Sequence, residues 1–361
     1  MGTEIFLVGI FFSLYLLWVG WVYRGLKKIP SSPPPAVQEP LPFSIIIAAH
    51  NEEQHIGALL EGLAHQQYPR ERFEVIVAAD RCDDQTEDIV RTFQSKLPHL
   101  QLVSINNHPP SIPPKKYALQ KAIEKARFNH LLFLDADVTV HQNHLQVFNS
   151  YFQTGSSAVV SVVKFPPPQS FFQKFLLYEK LISWCIAAAG VGNRRPVLAY
   201  GGNWGYTRDA FDAVKGFTEL NSSLSGDDDL LVQRMGEKKL PLQFCLNEQG
   251  WVFTEPPNSL SEFIRQRRRH FSAGKHYSRT IQLGYLIYHS LNLFFWAGWV
   301  FYPSIAFALI LKILVDTFIL RKGMKMFREK FHPGEALTFN FVYFLYNTII
   351  GPAGHIGKVK W

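Results

Sequence analysis

The stretch that most constrains what this chain can fold into is residues 130–140, HLLFLDADVTV. The continuous apolar run Leu131-Leu132-Phe133-Leu134 reads as a strand buried on both faces. It ends abruptly in Asp135-Ala136-Asp137. Side chains two apart on extended backbone share a face, so the two carboxylates point the same way. In open α/β sheets ligands gather at the carboxyl ends of strands. A pair of aspartates there can hold a hard divalent cation, usually shared with substrate phosphates. The plainer alternative is a loop start in which one aspartate caps the next turn. The motif by itself leaves both open.

The residues before this stretch place it in a layered fold. Residues 43–50, FSIIIAAH, are a continuous apolar strand, 73–79, FEVIVAA, a second buried strand, and 100–105 a third strand. Residues 56–65, 86–93 and 115–126 have helical periodicity. Strands alternating with helices at this spacing imply βαβ units and a mostly parallel sheet, an α/β fold. Asn51-Glu52-Glu53 and Asp80 then fall just past strand ends, on the same rim as Asp135. No glycine-rich phosphate loop follows the first strand, which argues against dinucleotide and P-loop sites and against a nucleotidyltransferase.

Beyond it, residues 158–164 read as another strand. Residues 171–189 form an amphipathic aromatic helix, belonging to the core or to a membrane interface. Residues 200–209, YGGNWGYTRD, are glycine-rich, so backbone there can approach a ligand. Residues 225–231, SGDDDLL, put three acids before a helical pattern. One would serve as a cap. Three exceed that need, and their mutual repulsion points to catalysis or cation binding. Residues 265–270, RQRRRH, form either a basic flank beside a membrane or a grip on a pyrophosphate, which the guanidinium fork suits.

Apolar weight sits at the two ends. Hydrophobic residues make up 47% of the 361 and charged ones 18%, more apolar than an average soluble chain. Residues 4–23 are long enough to span a bilayer. Arg24, Lys27 and Lys28 follow at once, which predicts a cytoplasmic side there. A cleaved signal peptide would carry its charge before the apolar core, so a retained anchor is expected. Residues 30–42 are a stiff Pro-rich spacer. Residues 281–302 and 303–320 are expected to span as a hairpin, with Lys312 and Asp316 paired one helical turn apart. Residues 337–350 are a short apolar segment, and Lys358 and Lys360 favour a cytoplasmic C-terminus. The net charge of +8 clusters beside these segments, favouring an anionic membrane surface and phosphate substrates over nucleic acid. Cys82, Cys185 and Cys245 form neither a metal spacing nor a disulfide framework.

The order of these motifs is more specific than any one of them: strand–AHNEE, strand–AAD, KKYAL, strand–DAD, GGNWGY, SGDDDLL and QRRRH, followed by GKHY. Over residues 43–277 this resembles the membrane-bound family 2 glycosyltransferases, the group of cellulose, hyaluronan and chitin synthases and ceramide glucosyltransferases. The resemblance implies a GT-A catalytic domain over 43–279, between an anchor (1–29) with its linker (30–42) and a C-terminal membrane region (280–361) of two spans and the short apolar segment. It implies a nucleotide diphosphate sugar as donor, UDP-linked by expectation, and Mg²⁺ or Mn²⁺. Ala48, Asn51 and Glu52 match the motif that cradles the nucleoside, and Asp80 the carboxylate that pairs with the uracil edge. Lys115 matches a lysine near the nucleotide. Asp135 and Asp137 match the metal-holding pair, Asp137 as the direct ligand. Gly202 and Asn203, with Asp227, fall on the acceptor side. Asp228 matches the catalytic base. Gln266 and Arg269 match the pair that holds the pyrophosphate.

The chemistry fits these assignments. Sugar transfer needs the leaving diphosphate neutralised and a base opposite it to take the acceptor's proton, which gives inversion. Asp227 and Asp229 would raise the pKa of Asp228 by like-charge repulsion. The departure is His270, where the family has a tryptophan as a stacking floor for the acceptor sugar. With few C-terminal spans for a channel, this favours single transfer onto a lipid-linked or membrane-proximal acceptor at the cytoplasmic face, in a bacterial inner membrane. The product would be a glycolipid or cell-envelope polysaccharide. The rivals are a processive polysaccharide synthase and a non-catalytic nucleotide-sugar-binding membrane partner.

Overall fold

The computed structural model describes residues 2–353 except 33, 36–38, 219 and 221–222. Lys358 and Lys360, and part of the Pro-rich spacer, lie outside the described residues. The chain divides into two compact units. One comprises Pro30–Pro167 and Arg194–Pro256; the other comprises Met1–Ile29, Pro168–Asn193 and Pro257–Trp361.

The first is an α/β unit. Its strands are β1 (Phe43–Ala49), β2 (Phe73–Asp80), β3 (Leu100–Ile105), β4 (His130–Asp135), β5 (Thr139–Val140), β6 (Ala158–Val160), β7 (Val163–Lys164), β8 (Asn203–Thr207), β9 (Leu242–Phe244) and β10 (Val252–Phe253). A seven-stranded sheet runs β3-β2-β1-β4-β8-β6-β9, and a three-stranded one runs β5-β10-β7. β1 pairs in parallel with both β2 and β4, and β2 with β3. The apolar runs enforce this. Ile45, Ile47, Val75, Val77, Leu132 and Leu134 are buried in one core with Leu59, Leu60 and Leu63 of helix Ile56–Ala64. Each such side chain contributes roughly 1.5–3 kcal/mol when fully buried.

One expectation about this unit needs correction, and one stretch resolves into a strand that the sequence did not show. Residues 158–164 are not one strand. β6 pairs with β8 and β9, whereas β7 pairs with β10 in the small sheet. Between them Ser161 donates its hydroxyl to Gly250 O at 2.7 Å, anchoring the crossing from one sheet to the other. The glycine-rich 200–209, given no secondary structure from the sequence, contains a strand. β8 is a central strand, antiparallel to β4 and β6. Trp204 and Tyr206 supply the reason: both are buried, and Tyr206 stacks on Phe133 of β4 at 4.5 Å.

The second unit is helical: Gly2–Lys28, Phe171–Gly192, Leu260–Ala273, Arg279–Gly298, Ser304–Phe327 and Pro333–Ala353. Among the described residues, Glu4–Lys28 and Phe171–Gly192 are long and apolar enough to cross a bilayer, and 67% of the latter's apolar window is buried in the protein. The expected spans at 281–302 and 303–320 form helices but fall outside that pair. Helix Ser304–Phe327 carries Lys312, Asp316, Arg321 and Lys322. The short segment 337–350 is part of the 21-residue helix Pro333–Ala353. Lys312 and Asp316 do pair, Nζ to Oδ2 at 2.6 Å. Tyr15 donates its hydroxyl to the other Asp316 oxygen at 2.6 Å, and Asn340 donates to Oδ2 at 3.0 Å. That cluster ties three helices together.

Candidate active site

The site forms where β4 ends. In register, Asp135 lies beside Ala48 of β1, and Leu134 lies beside Asn203 of β8. Asp135 therefore faces Gly202, just ahead of β8. A Cβ on Gly202 would stand 2.7 Å from Asp135 Oδ2, so only glycine lets this backbone pass so close. A Cβ on Gly201 would meet Lys115 Nζ at 3.3 Å, Asp228 Oδ2 at 3.3 Å and Asp227 Oδ2 at 3.4 Å. The two glycines mark the point where the charged groups converge.

On the β1–β2 side the loops after the strands are laced together. Asn51, at φ 56°, donates its amide to Asp83 Oδ1 at 2.5 Å and accepts from Asp83 N at 3.0 Å. Glu52 N donates to Thr86 Oγ1, Glu53 N donates to Asp84 Oδ2, and Gln85 N donates to Glu53. Asn51 thus shapes this rim through its loop partner. Ala48 is partly exposed at the strand end. Asp80 is buried, and Arg81 grips it with both forks, Nε to Oδ1 at 3.0 Å and a terminal nitrogen to Oδ2 at 2.8 Å. Arg81 takes the left-handed conformation, φ 50°, to do so.

On the β4–β8 side the three acids have separate partners. Lys115 Nζ lies 2.8 Å from Asp135 Oδ1 and 3.6 Å from Asp227 Oδ2. Burial opposes its charge, but Asp135 and then Asp227 outweigh that and hold it well above the ordinary lysine value. Asp228 accepts from Gly201 N on one oxygen and from Asp229 N on the other, each at 2.7 Å. It thereby caps helix Asp229–Glu237. Asp229 accepts from Ala199 N at 3.1 Å. Burial, then the Asp227 charge, push Asp228 up to about 6, against Lys115 and the two backbone donors. A carboxylate so poised, with lone pairs left over, can take a proton near neutral pH.

Asp137 is exposed, and its Oδ2 accepts from Thr254 Oγ1 at 2.8 Å. Glu52 is raised, first by burial, against the His55 hydrogen bond, and then by the charges of Asp137 and Asp135. The charges of Asp135 and Asp137 thus both reach Glu52, while among the described residues Lys115 is the direct cationic partner of Asp135. That excess negative charge and the all-oxygen donor set fit a hard divalent cation. Among the described residues no three acids, histidines or cysteines gather as a closed cage. Two carboxylates plus substrate phosphates are the usual arrangement for Mg²⁺.

Asn203 is fully buried, its amide donating to Val162 O at 2.8 Å and Gly250 O at 2.9 Å. It braces the backbone behind Gly202. Gln266, Arg269 and His270 lie on helix Leu260–Ala273 of the helical unit. There the buried Arg267 pairs with Glu179 at 2.5 Å and reaches His270 Nδ1 at 3.3 Å. Arg268 donates to Ala353 O at 3.2 Å. His270 is exposed and Gln266 and Arg269 are half-buried.

Sequence reasoning passed over Arg81, Gly201 and Thr254. Arg81 had a local signal, since it directly follows a strand-end aspartate. Thr254 had none, because 117 residues separate it from Asp137.

A family profile described as "Glycosyltransferase like family 2" matches residues 40–273. The probable glycosyltransferase YdaM of Bacillus subtilis is 30% identical over 152 residues, 38% of this chain and 35% of that protein. The poly(ribitol-phosphate) beta-N-acetylglucosaminyltransferase TarS of Staphylococcus aureus is 30% identical over 121 residues, 33% of this chain. The chain spans 35% and 20% of the lengths of these two relatives. Among solved structures, the mannosyltransferase PcManGT of Pyrobaculum calidifontis, in complex with GDP-Man and Mn²⁺, superposes with a TM-score of 0.60 at 17% identity, covering 97% of each chain. With the profile covering well over half the sequence and a mostly parallel sheet ending in these carboxylates, the chain belongs to glycosyltransferase-like family 2 and has a GT-A fold.

Proposed function

We propose that this enzyme transfers a sugar, with inversion, from a nucleotide diphosphate sugar to a lipid-linked or membrane-proximal acceptor at the cytoplasmic face of a membrane. The observation that carries this reading is the placement of Asp228. It is raised to about 6, fixed by two backbone donors, and linked through Lys115 and Asp227 to the strand-end aspartate Asp135.

In this reading the acceptor hydroxyl lies against Asp228, which takes its proton as the oxygen attacks the anomeric carbon. The bond to the diphosphate oxygen breaks on the opposite face, giving inversion. Asp135 and Asp137 would hold Mg²⁺ or Mn²⁺. Such an ion, when bound, supplies positive charge against the leaving diphosphate. By the motif match alone, Gln266 and Arg269 are assigned to hydrogen-bond a diphosphate, for which a guanidinium is suited. Ala48, Asn51, Glu52 and Asp80 form the nucleoside side, with UDP the expected carrier. TarS is named for transfer of N-acetylglucosamine, and PcManGT was solved with GDP-Man and Mn²⁺. These names support a nucleotide sugar and a divalent cation without choosing the base or the sugar. The helix Glu4–Lys28, apolar and lightly buried with a basic end, supports a membrane anchor.

The test uses detergent-solubilised full chain and a panel of nucleotide sugars, scored for nucleoside diphosphate release with and without Mn²⁺. Asp228→Asn should abolish release while keeping UDP–Mn²⁺ binding. Release at the wild-type rate would remove Asp228 as the base. Long polymer on a gel would favour a processive synthase. A chain that binds donors and turns over none would be a non-catalytic partner.

A further inference from the structure

We propose that Lys116 is a positioning residue: it clamps the segment that carries Asp227 and Asp228 and so sets where the base stands. This rests on the reading of Asp228 as the base. Lys116 is fully buried. Its ammonium donates to three backbone carbonyls, Leu220 O at 2.7 Å, Ser223 O at 2.7 Å and Ser225 O at 3.0 Å. Three bonds use all three donors of the group. All three acceptors lie on one short stretch of chain, which turns at Gly226, φ 81°, straight into Asp227 and Asp228.

A structural role alone gives no reason for a lysine here. In helix Pro114–Lys125, Lys116 is in phase with the buried Leu119 and Ile123. Leucine or methionine would fill such a position without the cost of burying an ammonium, and lysines are almost never fully buried unless paired. No hydrogen bond to a carboxylate accounts for it; its acceptors are carbonyls. Burial lowers the group to about 8, against the charges of Asp227 and Asp228, so it stays protonated at neutral pH with all three donors. Lys115, one residue earlier, reaches Asp135 and Asp227. Consecutive lysines on one helix thus hold the strand-end aspartate and the acid segment together. Lys115 does so by charge, and Lys116 by backbone.

The test compares wild type with Lys116→Met in the full-length chain. Methionine keeps the length and apolar stem and removes every donor. Hydrogen exchange over residues 223–230 should rise by about tenfold or more while β1 to β4 stay protected. UDP–Mn²⁺ affinity should stay within about threefold, and sugar-nucleotide turnover should fall by about thirtyfold or more, the signature of a misplaced base. Unchanged exchange over 223–230 would overturn the proposal. So would a parallel loss of UDP affinity and turnover. Should Lys116→Met fail to fold, Gly226→Ala decides. It strains the same segment at a positive φ, and wild-type turnover there would show that the segment's position does not matter. A wild-type chain that turns over no sugar nucleotide would sink the reading of Asp228 as base instead; the exchange result then decides the clamp by itself.

Discussion

Among the described residues two lysine–aspartate clusters, one in each unit, are built differently. In the helical unit, Asp316 accepts from Tyr15, Lys312 and Asn340, so both its oxygens are taken and one lysine matches one carboxylate. In the α/β unit, Lys115 is shared between Asp135 and Asp227, with Asp228 close by and bare glycine backbone alongside. The first cluster is closed and ties helices together. The second is short of positive charge, with glycine backbone passing close to its carboxylates. A buried ion pair says little about function. An imbalance at the carboxyl end of a parallel strand says more, because a ligand can supply the missing charge.

Substitutions in the two clusters test this contrast. The largest effect is expected at Asp228→Asn: turnover should fall by about 10²–10⁴-fold, with UDP–Mn²⁺ affinity retained by calorimetry. Next comes Lys312→Met in the closed cluster. Removing one partner of a buried pair typically costs about 3–5 kcal/mol, so thermal unfolding should shift well downward. Below that transition, Kd for UDP–Mn²⁺ should be unchanged. If nucleotide affinity followed Lys312 instead, the division into tie and site would fail. Thr254→Val removes the hydroxyl that orients Asp137 and should weaken Mn²⁺ affinity by about tenfold, read by metal titration in the presence of UDP. The smallest effect is a pH shift. The base must be deprotonated, so turnover should fall as pH drops through about 6. Asp227→Asn removes the charge that holds Asp228 up, so the acidic limb should move to lower pH. A limb that stays put would assign it to another group.

What could be read from the sequence follows the range of the interactions involved. β1 to β4 were legible because a largely apolar strand announces itself within six to eight residues. The carboxylates at their ends followed directly. The break at 161–162 was not legible, since nothing in Ala158–Lys164 tells which sheet each half will join. β8 was not assigned a secondary structure because glycines in 200–209 obscured a strand whose partners are β4 and β6. Lys116 left one trace, a lysine in phase with a buried stripe.

The sequence by itself determined that an α/β sheet would bring Asp80 and Asp135 to one rim, and that three acids and a basic helix would follow. Apolar periodicity and motif order are properties of neighbouring residues. Only the tertiary structure decided what each acid does. Asp229 holds Ala199, Asp228 sits on Gly201, Asp227 shares Lys115 with Asp135, and Thr254 reaches Asp137. Apart from the cap inside the acid run, these contacts join residues 20 to 117 positions apart. The Gly201 and Ala199 contacts depend on β8 lying beside β4, and the Thr254 contact on β10 lying beside β5; such sheet order is fixed by the packing of the whole core rather than by any one stretch of chain.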